Sequence, residues 1–333
     1  MMKHRAHPQA GLSLVELMVS MVIGLMLVTG LVTLVGNSNQ NFQELTRTSQ
    51  QLENGRYAWQ VLRDEMRLAG FYGELFAIPD PGAALPDPCA VNDVATQTAG
   101  LPFPLQGYDA PAATPLSCIA AADFSTGTDV LVVRRASTDT TQRAGLLHIQ
   151  STPRGYTLAA LPDADDPEAP ALDSVFNQTW LAYNPANPIS ATNFPPPIRP
   201  YFVYIYFISP YSTTADDGIP TLKRVEVGAA ATSVVSLVEG VENMQVAYGL
   251  DTNDDGSPDS YVTDTTAMTV TDWSNVVAAQ VHLLMRNLEP TAGYNDTKTY
   301  DLGGTLVEEP GDSYKRHVYT AAVRLTNPAG RRE

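Results

Sequence analysis

Hydrophobic and polar positions divide this chain into three stretches with different periods. From Leu17 to Val35 the residues read LMVSMVIGLMLVTGLVTLV, 19 positions without a charge. As a helix that run is long enough to cross about 30 Å of hydrocarbon. Beyond it, Phe42, Leu45, Leu52, Trp59, Leu62, Met66 and Ala69 recur at spacings of three, four or seven, which predicts that the same helix continues as an amphipathic one to Gly70. Gly24, Gly30 and the Gly36-Asn37 pair are the expected points of bending.

The second stretch, residues 71–127, is punctuated by Pro79, Pro81, Pro86, Pro88, Pro102, Pro104, Pro111 and Pro115 and is expected to be a looped region. From residue 128 to 333 the period shortens to that of strands. Asp129–Arg135, Leu146–Gln150, Tyr156–Leu161, Tyr201–Ile208, Leu222–Val227, Val234–Val238, Met244–Leu250, Val276–Met285 and Val318–Leu325 are the candidates. They predict an α+β fold in which the long helix packs on a mainly antiparallel sheet. The Pro- and Asp-rich tract 162–200 separates the early strands from the later ones. In the run Tyr201–Phe207, alternation puts Phe202, Tyr204 and Tyr206 on one face and Tyr201, Val203, Ile205 and Phe207 on the other. Aromatics on a central strand fill a sheet core more often than they form a binding surface.

Charge changes this picture in two places. The chain carries 36 acidic and 20 basic residues, a formal −16, which argues for solubility and against nucleic acid as a partner. Lys3 and Arg5 precede the apolar run, and the next charges after it are Glu44 and Arg47, so the positive-inside bias places the N-terminus in the cytoplasm and the body across the membrane. At the other end Lys315, Arg316, Arg324, Arg331 and Arg332 form a basic terminus, expected to be a solvated face. The only two cysteines, Cys89 and Cys118, suit one disulfide in an oxidising compartment, with two buried free thiols as the alternative.

A secretory signal is normally cut after its apolar run. Here the small residue, Gly11, comes before it, in the string Ala10-Gly11-Leu12-Ser13-Leu14-Val15-Glu16. That string resembles the type III signal of prepilins. The resemblance implies a leader of residues 1–11, cleavage between Gly11 and Leu12 by the prepilin peptidase, N-methylation of Leu12, and retention of the helix 12–70 with its membrane span near 17–35. It also implies that Glu16, a carboxylate costly to leave unpaired at the membrane edge, sets the register of assembly by pairing with a neighbouring subunit's N-terminus. The helix end Gln51–Ala58 and Leu62–Phe71 is similar to that of PilW-type minor pilins. Thr33, where major pilins carry proline, and the greater length also favour a minor subunit.

The implied fold is type IV pilin-like, a transmembrane spine helix on a β-rich periplasmic head. The implied function is type IV pilus assembly, in priming or in a tip complex, from the bacterial inner membrane to the cell surface. Partners would be other minor and major pilins, the inner-membrane assembly machinery and a tip adhesin. A minor pseudopilin of a type II secretion system and a pilin-anchored adhesive or calcium-regulated protein are the alternatives. For the last, Asp251, Asn253, Asp255, Ser257 and Asp259 reproduce the first part of a calcium loop, with Gly256 at its turn. Val262 stands where the bidentate acid belongs, and a solvated hairpin turn is the competing reading. No hydrolase elbow, phosphate loop or dinucleotide fingerprint occurs, and His148, His282 and His317 lack metal spacing; the chain is not expected to be an enzyme.

Overall fold

The computed structural model describes residues 13–91, 93–163, 169–178, 180–181, 193–228 and 231–333. Two compact units divide them at Gln50. The long helix α1 runs from Leu14 to Leu68 without interruption, through Gly24, Gly30 and Gly36.

In the first unit the helix exposes every apolar side chain between Leu14 and Val35, with Leu25, Met26, Val32 and Leu34 more than half exposed. In water such a surface is unstable, and in lipid it is the required one. Thr29 and Thr33 return their hydroxyls to the carbonyls of Leu25 and Thr29, at 2.8 and 3.1 Å. This leaves neither hydroxyl unsatisfied in an apolar surrounding.

The second unit, Gln51–Glu333, holds two main antiparallel sheets. Strands β1 (Leu105–Tyr108), β2 (Val130–Ala136), β3 (Leu147–Ser151) and β4 (Tyr156–Ala160) belong to the first. The two-residue strands β5 (Trp180–Leu181) and β6 (Asn193–Phe194) pair with each other, and β7 (Ile198–Ser209), β8 (Thr221–Val227) and β9 (Thr232–Glu239) complete the first sheet. Next come β10 (Val241–Leu250), β11 (Ser260–Val262) and β12 (Val276–Arg286); β13 (Tyr300–Asp301) and β14 (Leu306–Val307) make a small hairpin, and β15 (Arg316–Arg324) closes the second sheet in the order β11-β10-β12-β15.

The twelve-residue strand β7 organises the head. It pairs with β2 through Tyr201–Tyr206, with β3 through Ile198–Tyr201 and with β8 through Tyr204–Ser209. Its two faces supply two different cores. Phe202, Tyr204 and Tyr206 pack with Ala58, Leu62 and Met66 of α1 and with β10 and β12. Tyr201, Val203, Ile205 and Phe207 pack with Tyr72, Leu101, Ile119 and Phe124 from the proline-rich segment. The aromatic run is thus core on both sides, as strand alternation requires when both faces are covered.

The stripe of α1 that meets the sheets keeps the expected Leu62 and Met66, with Ala69 just beyond the helix, but differs from the expectation toward its start. Phe42, Leu45 and Leu52 are exposed, and the buried positions are Gln51, Gly55, Ala58, Leu62 and Met66. Small residues occupy this stripe because the approach is close. A Cβ on Gly55 would stand 2.4 Å from the Tyr319 ring, far inside contact distance. Polar groups then fix the register: Gln51 donates to the carbonyls of Met285 and Lys315, at 2.9 and 3.0 Å, and Glu65 binds Arg135 through two hydrogen bonds of 2.6 and 2.9 Å. Gly70 ends the helix with φ +72°, a left-handed conformation that suits glycine.

The looped segment 71–127 also contains regular structure, a six-residue helix at Val94–Ala99 and strand β1. Gly107 in β1 lets the Tyr248 hydroxyl approach to 1.9 Å from where a Cβ would lie, so a residue of weak strand propensity serves tight packing. Cys89 and Cys118 form the disulfide, across 29 positions.

Candidate functional site

Gly11 and Leu12, the expected processing positions, lie outside the described residues. Description starts at Ser13, and there the helix has a reciprocal cap. The Glu16 backbone N–H donates to Ser13 Oγ at 3.2 Å, and the Ser13 N–H donates to Glu16 Oε2 at 3.0 Å. This is the capping-box arrangement, which satisfies two N–H groups that have no partner within the helix. The spacing Ser-x-x-Glu was readable in the sequence. Glu16 therefore combines a cap with an exposed carboxylate at the head of a wholly apolar stretch. From Leu14 to Val35 the helix spans about 33 Å at 1.5 Å per residue, and α1 contains an 18-residue window of mean hydropathy 2.4.

The acidic loop is held from within. Asp251 is 1% exposed. Its Oδ1 accepts the N–H groups of Asp254 and Asp255, at 2.7 and 3.3 Å, and its Oδ2 that of Gly256, at 2.9 Å. Burial opposes ionisation of this carboxyl, but these N–H groups and Arg332 outweigh it and hold its pKa below the ordinary carboxylate value. Asp259 accepts from the Thr252 hydroxyl and N–H, both at 2.7 Å, and Asn253 donates to Asp255 and Asp259 at 3.2 Å each. Ser257 donates its N–H to Asp255 at 2.8 Å.

Arg332 crosses the loop, 3.1 Å from Asp254 and 3.4 Å from Asp251. A cation entering here would compete with that guanidinium, and among the described residues no group of three or more His, Cys, Asp or Glu side chains is arranged to hold a metal. The expected result of a calcium titration of the purified protein is an unchanged melting temperature at millimolar calcium. A rise of several degrees would restore the loop as a metal site.

At Arg316 the basic terminus departs from the solvated face expected from its alternation, whereas Arg324 stays half exposed. The Arg316 side chain is 2% exposed and sits among Glu242, Asp296 and Asp312. Arg324 bonds the Gly256 carbonyl and pairs with Glu333. These guanidiniums close acidic loops that are distant in sequence, which alternation along one strand cannot reveal. Of the histidines, His148 is buried, its Nε2 accepting the Arg143 N–H and its Nδ1 facing the Leu146 carbonyl, both at 3.1 Å. His282 lies 2.9 Å from the Thr320 hydroxyl through Nδ1, and His317 stacks edge-on against Tyr319. The three are spread over separate surroundings.

Two family models match the chain. That of the prokaryotic N-terminal methylation motif covers residues 7–32, and that of type IV pilus-assembly protein W covers residues 205–327. The chain is similar to prepilin-type proteins over its N-terminal helix and to type IV pilus-assembly protein W over the later strands. No curated protein and no solved structure matches it. The likeness to PilW falls on the stretch from β7 to the C-terminal turn. In this pilin-like protein the methylation motif includes Gly11, Leu12 and Glu16, and its long apolar helix fits a membrane anchor.

Proposed function

We propose that this protein is a minor pilin that takes part in type IV pilus assembly, in priming the filament or in its tip complex. The single observation that carries the reading is the apolar helix surface at Leu14–Val35, unburied within its own chain, in a chain whose residues 205–327 match PilW. Such a surface is stable only in lipid or against other helices of its kind. The prepilin peptidase would cut after Gly11, and Leu12 would be methylated. Lys3 and Arg5 would keep the N-terminus cytoplasmic, and the disulfide fits a head on the oxidising side. Residues 12–35 would then pack beside other minor and major pilins in the inner membrane and the assembled pilus, with the head facing a tip adhesin or other subunits. The work is association, without a catalytic step.

Deleting the gene and restoring it is the first test: loss of surface pili, recovered on complementation, is expected, and normal pili in the deletion strain would turn the reading to a secretion pseudopilus. Glu16 gives a finer one. Glu16→Gln retains the capping geometry but removes the charge, whereas Glu16→Ala removes both. If the charge sets register, both variants are processed normally and both reduce pilus number at least tenfold. Full piliation with glutamine and loss with alanine would assign Glu16 to capping alone.

A further inference from the structure

The second unit contains a pocket of about 270 Å³ between residues 76–81, residues 101–104 and the C-terminal turn. Phe76, Ile78, Leu101, Pro104 and Pro328 supply its apolar wall, and Arg331 lies among them. Phe76 is 65% exposed, so its ring is open to a ligand at the mouth of the pocket.

Arg331 and its neighbour Arg332 differ in what they bind. Arg332 is fully engaged, donating to the carbonyls of Asp251 and Ser274 and to Asn275 Oδ1 and pairing with Asp251 and Asp254. Arg331 donates to the Gly70 carbonyl at 3.1 Å, and among the described residues no carboxylate pairs with it. Burial holds its pKa below the usual arginine value; the neighbouring Arg332 lowers it further, while Tyr72 opposes. A protein of net charge −16 thus keeps a half-buried guanidinium, with donors to spare, beside a rigid apolar wall. The acid on the lining, Asp80, is exposed to solvent, where screening weakens its repulsion.

We infer that this pocket binds the free C-terminal carboxylate of a partner polypeptide whose last residue is apolar. Charge complementarity selects the carboxylate, since Arg331 lines the pocket and keeps N–H donors beyond the one given to Gly70. The wall of prolines and Phe76 selects the apolar side chain, and fixed proline backbones reduce the ordering cost of binding. A volume below that of most metabolite pockets suits one residue and its terminal carboxylate. Choosing a polypeptide over a metabolite rests on the assembly reading, because an assembling subunit meets other chains. The two fail separately: peptide binding can be absent while the Glu16 variants still lose pili.

The test uses the full chain in detergent and a fluorescent hexapeptide of glycine and serine ending in phenylalanine, as free acid and as amide. Anisotropy is expected to show the acid binding at least tenfold tighter. Arg331→Gln should abolish that preference, and Phe76→Ala, at an exposed position where folding is unaffected, should weaken the acid at least fivefold. Equal binding of acid and amide, or none, overturns the inference. Displacement of the peptide by free phenylpropionate at the peptide's own concentration also overturns it, by making the pocket a small-carboxylate site.

Discussion

Arg316→Ala is expected to destabilise the head by about 3–5 kcal/mol, the usual cost of breaking a buried ion pair from one side. The guanidinium binds Glu242 through two bonds of 2.5 and 2.9 Å, Asp312 at 2.6 and 2.7 Å, and Asp296 at 3.0 Å. Asp296 is 0% exposed and is held also by the hydroxyls of Tyr294 and Tyr300. Without Arg316 its carboxylate would stay buried with only neutral donors, which is why the loss exceeds that of a surface pair. The network joins the start of β10 to the start of β15, next to the Lys315 carbonyl that receives Gln51 of α1, so the variant should also loosen the second half of the helix.

The pH dependence follows from the same contacts. Hydrogen bonds from Arg316 hold the Asp312 carboxyl below its usual pKa, and at Asp296 they and the tyrosines outweigh the effect of burial. Folded-state values that are depressed give stability that is full above the unfolded carboxylate pKa, near about 4, and is lost as pH falls below it. Urea unfolding at pH 7 and pH 3 reads both effects: the variant should lose most at pH 7, and the gap to the parent should narrow at pH 3. A loss under about 1 kcal/mol at pH 7 would mean that water replaces the guanidinium and that the network is of the weak surface kind.

How much of this was legible in the sequence depends on the range of the interaction concerned. Strands such as Val276–Met285 and Leu222–Val227 could be read because their β-branched runs report local preference, and the two faces of Tyr201–Phe207 because alternation is local as well. The apolar anchor was legible for the same reason. Strand β1 was hidden, since Leu105–Tyr108 lies among prolines and becomes a strand by pairing with β2. The outward position of Phe42, Leu45 and Leu52 was hidden too. Their spacing matches a buried stripe, but the face that docks is chosen by Gly55 against Tyr319, a contact between distant parts of the chain. Arg316 and Glu242 are 74 positions apart, and no local pattern announces their pairing. Glu16 is the opposite case: its cap with Ser13 needed only the three-residue spacing, while its assembly role rests on a partner chain.

Replacing both Cys89 and Cys118 by serine is expected to cost about 3–4 kcal/mol, the loop-entropy value for a cross-link across some thirty residues. The expectation is stronger here than for a disulfide in a continuous sheet. Among the described residues between 71 and 127 the regular elements are a six-residue helix, the four-residue β1 and a single 3-10 turn at Ala121–Asp123, so few backbone ladders oppose opening. The segment nevertheless contributes Leu101, Leu116, Ile119 and Phe124 to the core under β7, and that burial depends on keeping the loop near its native conformation. In the unfolded chain the missing cross-link raises the entropy; in the folded one the loop opens more readily, exposing Leu101 and the pocket wall beside it. Denaturant unfolding of the double variant measures the first effect, and faster amide exchange confined to residues 87–121 the second. A loss below about 1 kcal/mol with unchanged exchange would show that the apolar contacts hold this segment unaided, and that the disulfide reports the compartment without stabilising the head.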